Sequence, residues 1–191
     1  MQKIIPLENG KFFHIYNRGI NGEKLFREQT NFEYFLNLYN EHIEPIAETY
    51  AWCLMSNHFH FLVRMKNTEE IITDKKISPS QSFANFFNAY TKAFNKRFIR
   101  HGALFERPFR RKAIDNENYF KNLIAYIHNN PVHHLYCEHP IEYAWSSYIS
   151  CLSKKPTKLK RDEVISLFND IDNFKYFHQL KSYDVQIDTD F

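Results

Sequence analysis

Residues 53–65 read CLMSNHFHFLVRM, a run of strand-forming residues that carries two histidines, His58 and His60, one residue apart. Side chains of a strand alternate between faces, so His58 and His60 project to one side while Phe59, Phe61 and Val63 point to the other. The preceding ETYAWCLM (48–55) reads as a second strand, with Ser56-Asn57 at or near the turn, and the two together predict a β-hairpin. Two imidazoles on one rigid strand have the geometry of a grip for a divalent metal, with coordination positions left open for a substrate oxygen. The competing reading at this point is two polar residues facing water on a half-exposed sheet.

Outward from the hairpin, KFFHIYNRGI (11–20) reads as a first strand ending in a turn signal. TNFEYFLNLYNEHIE (30–44) carries Phe32, Phe35, Leu36, Tyr39 and Ile43 at helical spacing, with Thr30 or Asn31 as N-cap and Pro45 ending the helix. After a polar connection over 67–80, Ser80 or Ser82 caps a helix that runs to about Arg100, and RPFRRKAI (107–114) reads as a short strand. Asp115 or Asn116 then caps the helix ENYFKNLIAYIHNN, stopped by Pro131. The order β, α, β, β, α, β, α predicts an α+β fold: a ferredoxin-like antiparallel sheet with helices packed on one face, over residues 1–150. Residues 151–191 read as a short helical C-terminal extension.

That last long helix holds the second chemical feature. At about 100° per residue, Tyr119, Tyr126 and Asn130 fall on one flank of the apolar stripe formed by Phe120, Leu123, Ile124 and Ile127. Tyr126 and Asn130, four residues apart, are stacked neighbours able to approach one site across the sheet, the tyrosine as a hydroxyl nucleophile and the asparagine amide oxygen as a third metal ligand. Against this stands the ordinary role of a tyrosine at the edge of an amphipathic core.

The composition allows a packed core: aromatic residues make up 17% of the chain, with 19 Phe and 12 Tyr against only 4 Gly. Three cysteines without CxxC spacing argue against a disulfide framework and against a four-cysteine zinc site. The start of the chain lacks the apolar core of a signal peptide, and no window is long and apolar enough for a membrane span, so a cytoplasmic protein without membrane association is expected. The net charge of +3 is unevenly spread. Residues 92–112 hold Lys92, Lys96, Arg97, Arg100, Arg107, Arg110, Arg111 and Lys112 against the single acid Glu106, while 161–191 are acidic. Such a basic segment with interleaved aromatics suits the backbone of a nucleic acid, and Arg18 at the end of the first strand is a further candidate contact.

HIYNRGI (14–20), MSNHFHFLV (55–63), AYIHNNPV (125–132) and AWSSY (144–148), in this order, resemble the single-tyrosine HUH transposases, most closely the REP-associated tyrosine transposases. The resemblance spans about residues 10–150. It implies a ferredoxin-like fold and cleavage of single-stranded DNA beside an imperfect hairpin. It implies further that His58, His60 and Asn130 hold Mg²⁺ or Mn²⁺ and that Tyr126 is the nucleophile, giving a 5′-phosphotyrosine and a free 3′-hydroxyl. Because Mg²⁺ prefers oxygen donors, a site with two imidazoles suits Mn²⁺ as well or better. The chain departs from the family after Asn-Pro-Val, where His133-His134-Leu135 stand in place of Arg-Ala-Gly. HNNPVHHLYCEH (128–139) is rich in zinc-ligand types but fits no zinc spacing, and reads as a solvent-facing loop. Trp145 reads as an anchor for the tail. A hairpin-binding regulator that does not cut is the alternative, which the four intact site residues disfavour; a replication or conjugation initiator would normally be a longer chain. Both a monomer and a homodimer are compatible with the sequence.

Overall fold

The computed structural model describes residues 5–71 and 78–180. Four strands, β1 (Phe12–Arg18), β2 (Ala47–Leu54), β3 (His58–Met65) and β4 (Arg110–Ile114), form one antiparallel sheet in the order β2-β3-β1-β4. Three longer helices accompany them: α1 (Gln29–His42), α2 (Pro79–Arg97) and α3 (Glu117–His133). This is the α+β, ferredoxin-like arrangement expected from the order of elements.

The distribution of helices differs from the expectation of a single covered face. α1 and α2 pack on the face formed by Phe13, Ile15, Phe59, Phe61 and Val63, where Phe35, Tyr39, Phe86 and Tyr90 fill an aromatic core. α3 lies on the opposite face, against Tyr50, Ala51, Cys53 and Leu62. The physical reason is in β3, where every residue from His58 to Val63 is buried. A central strand covered on both sides reads as a near-continuous buried run rather than an alternation of wet and dry positions.

Helix boundaries follow local chemistry with small shifts. Ser78, not Ser80 or Ser82, caps α2 by accepting from the Gln81 N–H, and Pro79 takes the first helical position, where its missing N–H costs nothing. At α1 the N-cap is Glu28, with Asn31 closing a reciprocal capping box. Asn116 caps α3 as expected, accepting from the Tyr119 N–H at 2.9 Å. Pro131 does not stop α3, which continues to His133. In the last turn the ring removes one helical donor, and the Asn130 carbonyl still accepts from the His134 N–H at 3.0 Å.

Beyond α3 come three short helices, α4 (Tyr148–Leu152), α5 (Arg161–Ser166) and α6 (Ile171–Gln179). Val164, Phe168 and Phe174 from this segment are buried in the same cluster as Leu123, Ile124 and Ile127 of α3. The Trp145 ring stacks on Phe32 with centroids 4.5 Å apart, and its carbonyl accepts from the Leu54 N–H. Part of the expected 67–80 connection, residues 72–77, and the last residues of the extension, 181–191, lie outside the described residues. Among the described residues no helix is long and apolar enough to cross a membrane.

Candidate metal and nucleophile site

The hairpin turn that brings β3 into the sheet is closed by the Met55 N–H, which donates to the His58 carbonyl at 2.8 Å. Antiparallel pairing then sets Arg18 opposite His58 and Tyr16 opposite His60, and paired residues share a face. His58 and His60 therefore look toward α3, as do Tyr16 and Arg18. α3 supplies Asn130, whose Oδ1 lies 2.8 Å from His58 Nε2, and Tyr126, whose ring meets the His60 ring edge-on with centroids 5.6 Å apart. The rings of His58 and His60 are 5.3 Å apart. The structure thus brings together His58, His60, Tyr126 and Asn130, with Tyr126 half-buried and the other three buried.

Four neighbours of this group were not picked out in the sequence as site residues. His14 of β1 has Nε2 3.0 Å from His60 Nδ1. Asn57 has Oδ1 2.8 Å from His58 Nδ1. His133 and His134, at the end of α3, bring their rings to 5.8 Å from Tyr126 and 4.9 Å from His58. The only sequence signal for His14 was its even spacing from Tyr16 within HIYNRGI, which puts both on one strand face. Of the supposed 128–139 loop, His128 is fully buried inside α3, so that reading is corrected: burial of the helix face that meets α6 draws this imidazole into the core.

Burial controls the charge of these rings. It holds His58 down to about 4, against a smaller upward pull from Asn130, and pushes His60 well below the ordinary histidine range. His14 is lowered to about 3, by burial first and then by the charge of Lys112. At neutral pH all three are neutral imidazoles, the form that donates a lone pair to a metal.

A neutral imidazole carries one N–H, yet His58 has an amide oxygen at hydrogen-bond distance from each of its two nitrogens. One proton satisfies one of them. Turning the Asn130 amide would let its NH₂ donate to Nε2, but would put the carbonyl oxygen where Nδ2 now sits, buried and with no hydrogen-bond partner among the described residues. Two arrangements satisfy both contacts: the Asn57 amide turned so that its NH₂ donates to Nδ1 while Nε2–H donates to Asn130, or a cation shared by His58 Nε2 and Asn130 Oδ1 with Nδ1–H donating to Asn57. The 2.8 Å separation is also close to the roughly 3 Å edge of an octahedron whose metal–ligand bonds are about 2.0–2.1 Å. The donor set therefore fits a divalent metal. Among the described residues no three His, Cys, Asp or Glu side chains gather as a metal cage.

The basic run divides between two faces. Arg110 and Lys112 of β4 pair across the ladder with Tyr16 and His14, and so share the face of the histidines, with Arg18 at the neighbouring strand end. Arg18 binds Glu106 at 2.6 Å, Arg110 lies 3.7 Å from the same carboxylate, and Lys112 sits over the Tyr119 ring. Arg111 points to the other face, over Phe109 and toward Ser80. Lys92, Lys96 and Arg97 belong to α2 in the opposite layer, where Arg97 pairs with Glu28; Arg100 follows that helix and contacts Glu23, and Arg107 is exposed.

Neither a protein-family profile nor a curated protein matches the chain. Among solved structures, that of a REP-associated tyrosine transposase bound to a REP hairpin aligns with a TM-score of 0.63. The fold is shared with a tyrosine transposase. The alignment covers 82% of this chain and 88% of that chain at 15% sequence identity. At that identity the transposase speaks for the architecture, and the chemistry rests on the residues described above.

Proposed function

We propose that this protein is a metal-dependent single-stranded DNA endonuclease and strand transferase, a transposase acting beside hairpin-forming repeat DNA through a 5′-phosphotyrosine. The observation that carries the reading is the convergence, on one sheet face, of His58 and His60 from β3 with Tyr126 and Asn130 from α3. A hairpin partner is in keeping with the transposase of the same fold, whose structure contains one.

In this reading His58, His60 and Asn130 hold Mg²⁺ or Mn²⁺. When bound, the ion polarises a non-bridging oxygen of the scissile phosphate and offsets the charge that develops on the leaving oxygen. Tyr126 loses its phenolic proton and attacks phosphorus; the new O–P bond forms as the bond to the 3′-oxygen breaks, and that oxygen leaves as a 3′-hydroxyl after taking a proton. The phosphotyrosine keeps the energy of the phosphodiester, so a second 3′-hydroxyl can attack it, restore the tyrosine and join strands without a nucleotide cofactor. Arg18, Arg110 and Lys112 on the same face hold the DNA backbone in register, and the α2 cations add contacts that do not read sequence.

The test is a denaturing gel of labelled single-stranded hairpins, drawn from the sequences flanking the gene, with Mn²⁺ or Mg²⁺. A covalent adduct present in the wild type and absent in Tyr126→Phe is the expected result. Hairpin binding without an adduct, across both metals, would replace this reading with a hairpin-binding regulator that does not cut.

A further inference from the structure

The contact between His14 and His60 says more than that two rings are close. Both are buried, with exposures of 1% and 0%, in surroundings that exclude an imidazolium without a counter-charge. Their ring planes are 23° apart with centroids at 5.1 Å, so the 3.0 Å contact between His14 Nε2 and His60 Nδ1 is an edge-to-edge hydrogen bond. The Tyr16 ring, stacked 4.5 Å from His14 and 5.9 Å from His60, fixes both planes from the same strand face.

One proton lies between those two nitrogens, and its side decides what His60 can bind. If the proton belongs to His14, the neutral His60 must carry its own on Nε2, and that nitrogen cannot ligate. If it belongs to His60 Nδ1, the Nε2 lone pair is left for a ligand. We propose that His14 is a positioning residue: by accepting the proton of His60 Nδ1 it fixes His60 as the tautomer that binds a divalent cation through Nε2. In this role His14 acts through His60.

One geometric feature supports the acceptor role. His58, the neighbouring histidine on the same face, also has an outer partner at Nδ1, Asn57 Oδ1 at 2.8 Å, while its Nε2 meets Asn130. Both histidines of the H-x-H pair would then present Nε2, each held by a different outer partner. Such partners raise the basicity of the ligating nitrogen and fix its direction, and their loss typically lowers metal affinity about 10–100-fold.

The inference deepens the metal-dependent reading above and rests on it only in part, because the tautomer can be read without metal. Long-range ¹⁵N–¹H spectra of the metal-free wild type report which His60 nitrogen carries the proton: Nδ1 is expected, and a proton on Nε2 overturns the proposal. Manganese binding, followed by the electron paramagnetic resonance signal of free Mn²⁺, is then compared across variants whose thermal unfolding shows them folded. His14→Phe, which keeps a flat ring and removes the acceptor, should bind Mn²⁺ about 10–100-fold more weakly. His14→Gln, whose amide oxygen can accept the same proton, should stay within about threefold of wild type, a rescue that a merely space-filling role does not predict. A folded His14→Phe with wild-type affinity overturns the proposal. If the wild type binds no Mn²⁺ in a manner that depends on His58 and His60, the metal reading fails instead, and the spectra alone decide the tautomer.

Discussion

Two pairs of buried histidines sit back to back on α3 and the sheet, and they solve the same physical problem in opposite ways. In the first, His14 bonds to His60 at 3.0 Å beside His58; in the second, His128 Nδ1 bonds to His178 Nε2 at 2.9 Å. The second pair is a closed chain. Ser147 Oγ–H donates to His128 Nε2 at 2.7 Å, His128 Nδ1–H donates to His178 Nε2, and His178 Nδ1–H donates to the Phe174 carbonyl at 2.7 Å. Every ring nitrogen has a protein partner, and one proton per ring suffices. At His58 two amides flank a ring with one N–H, and the contacts close in either of two ways: with the Asn57 amide turned to donate to Nδ1, or with a cation between Nε2 and Asn130. A network with one closed solution specifies structure; one that also accommodates a cation is a candidate site.

That contrast is sharpest in the alanine variants. His60→Ala should remove specific Mn²⁺ binding and reduce DNA adduct formation below detection, and it also lowers stability, because it opens a void and leaves the buried His14 nitrogen without its partner. His128→Ala should lower stability without the loss of metal. It leaves His178 and Ser147 buried with broken partners and opens a void, costing about 3 kcal/mol, or roughly 6–12 °C for a chain of this size, while Mn²⁺ affinity is retained. Calorimetry and metal titration on the same two proteins check both halves. If His128→Ala loses metal as completely as His60→Ala, the two pairs are not separate systems.

Acid should act on the closed chain as well. Burial holds His178 down from the ordinary 6.5 to about 4, so the native ring is neutral where the unfolded one is charged. Between those values the unfolded state binds the extra proton, so stability is fully present above about pH 6.5 and falls as pH drops toward 4. The loss from this group is at most about 3 kcal/mol. His178→Phe, which keeps an aromatic ring against Tyr148 and Phe168, should show a shallower loss of stability over this window in urea titrations. An unchanged slope would place the acid sensitivity in other buried rings, His14 and His60 among them.

How these two pairs were or were not legible in the sequence follows from the range of the forces involved. The H-x-H spacing and the Tyr126 to Asn130 step are set by strand and helix periods alone, so both pairings could be read locally, and the structure aims all four at one place. His14 could not be read this way, because its partner is 46 residues distant and only the β1–β3 register joins them. The second covered face of the sheet was missed for a related reason. HFHFLV alternates polar and apolar at its start, which suggests one wet face, but α3 covers that face and buries the histidines too. His128 stands both in the expected helix ENYFKNLIAYIHNN and in the supposed 128–139 loop, and its burial was not legible because the partner that draws it into the core, His178, lies 50 residues further on.

The smallest effect tests whether the closed chain is only structural. Ser147 Oγ accepts from the Trp52 N–H at 2.9 Å and donates to His128, so it ties β2 to the helix that carries Tyr126. Ser147→Ala deprives a buried N–H of its acceptor and a buried imidazole nitrogen of its donor, without a large void. A loss of about 2 kcal/mol is expected, read from the shift of the denaturant midpoint at constant slope. Adduct formation on hairpin DNA should stay within about twofold of wild type at a temperature where the variant is folded. The reason is geometric: Tyr126 and Asn130 are held by the packing of Leu123, Ile124 and Ile127 of α3 in one cluster with Leu62 and Ala51 of the sheet. If Ser147→Ala folds normally yet cuts tenfold more slowly, the hydroxyl chain positions the tyrosine helix, and the division between the two histidine pairs gives way to one connected network.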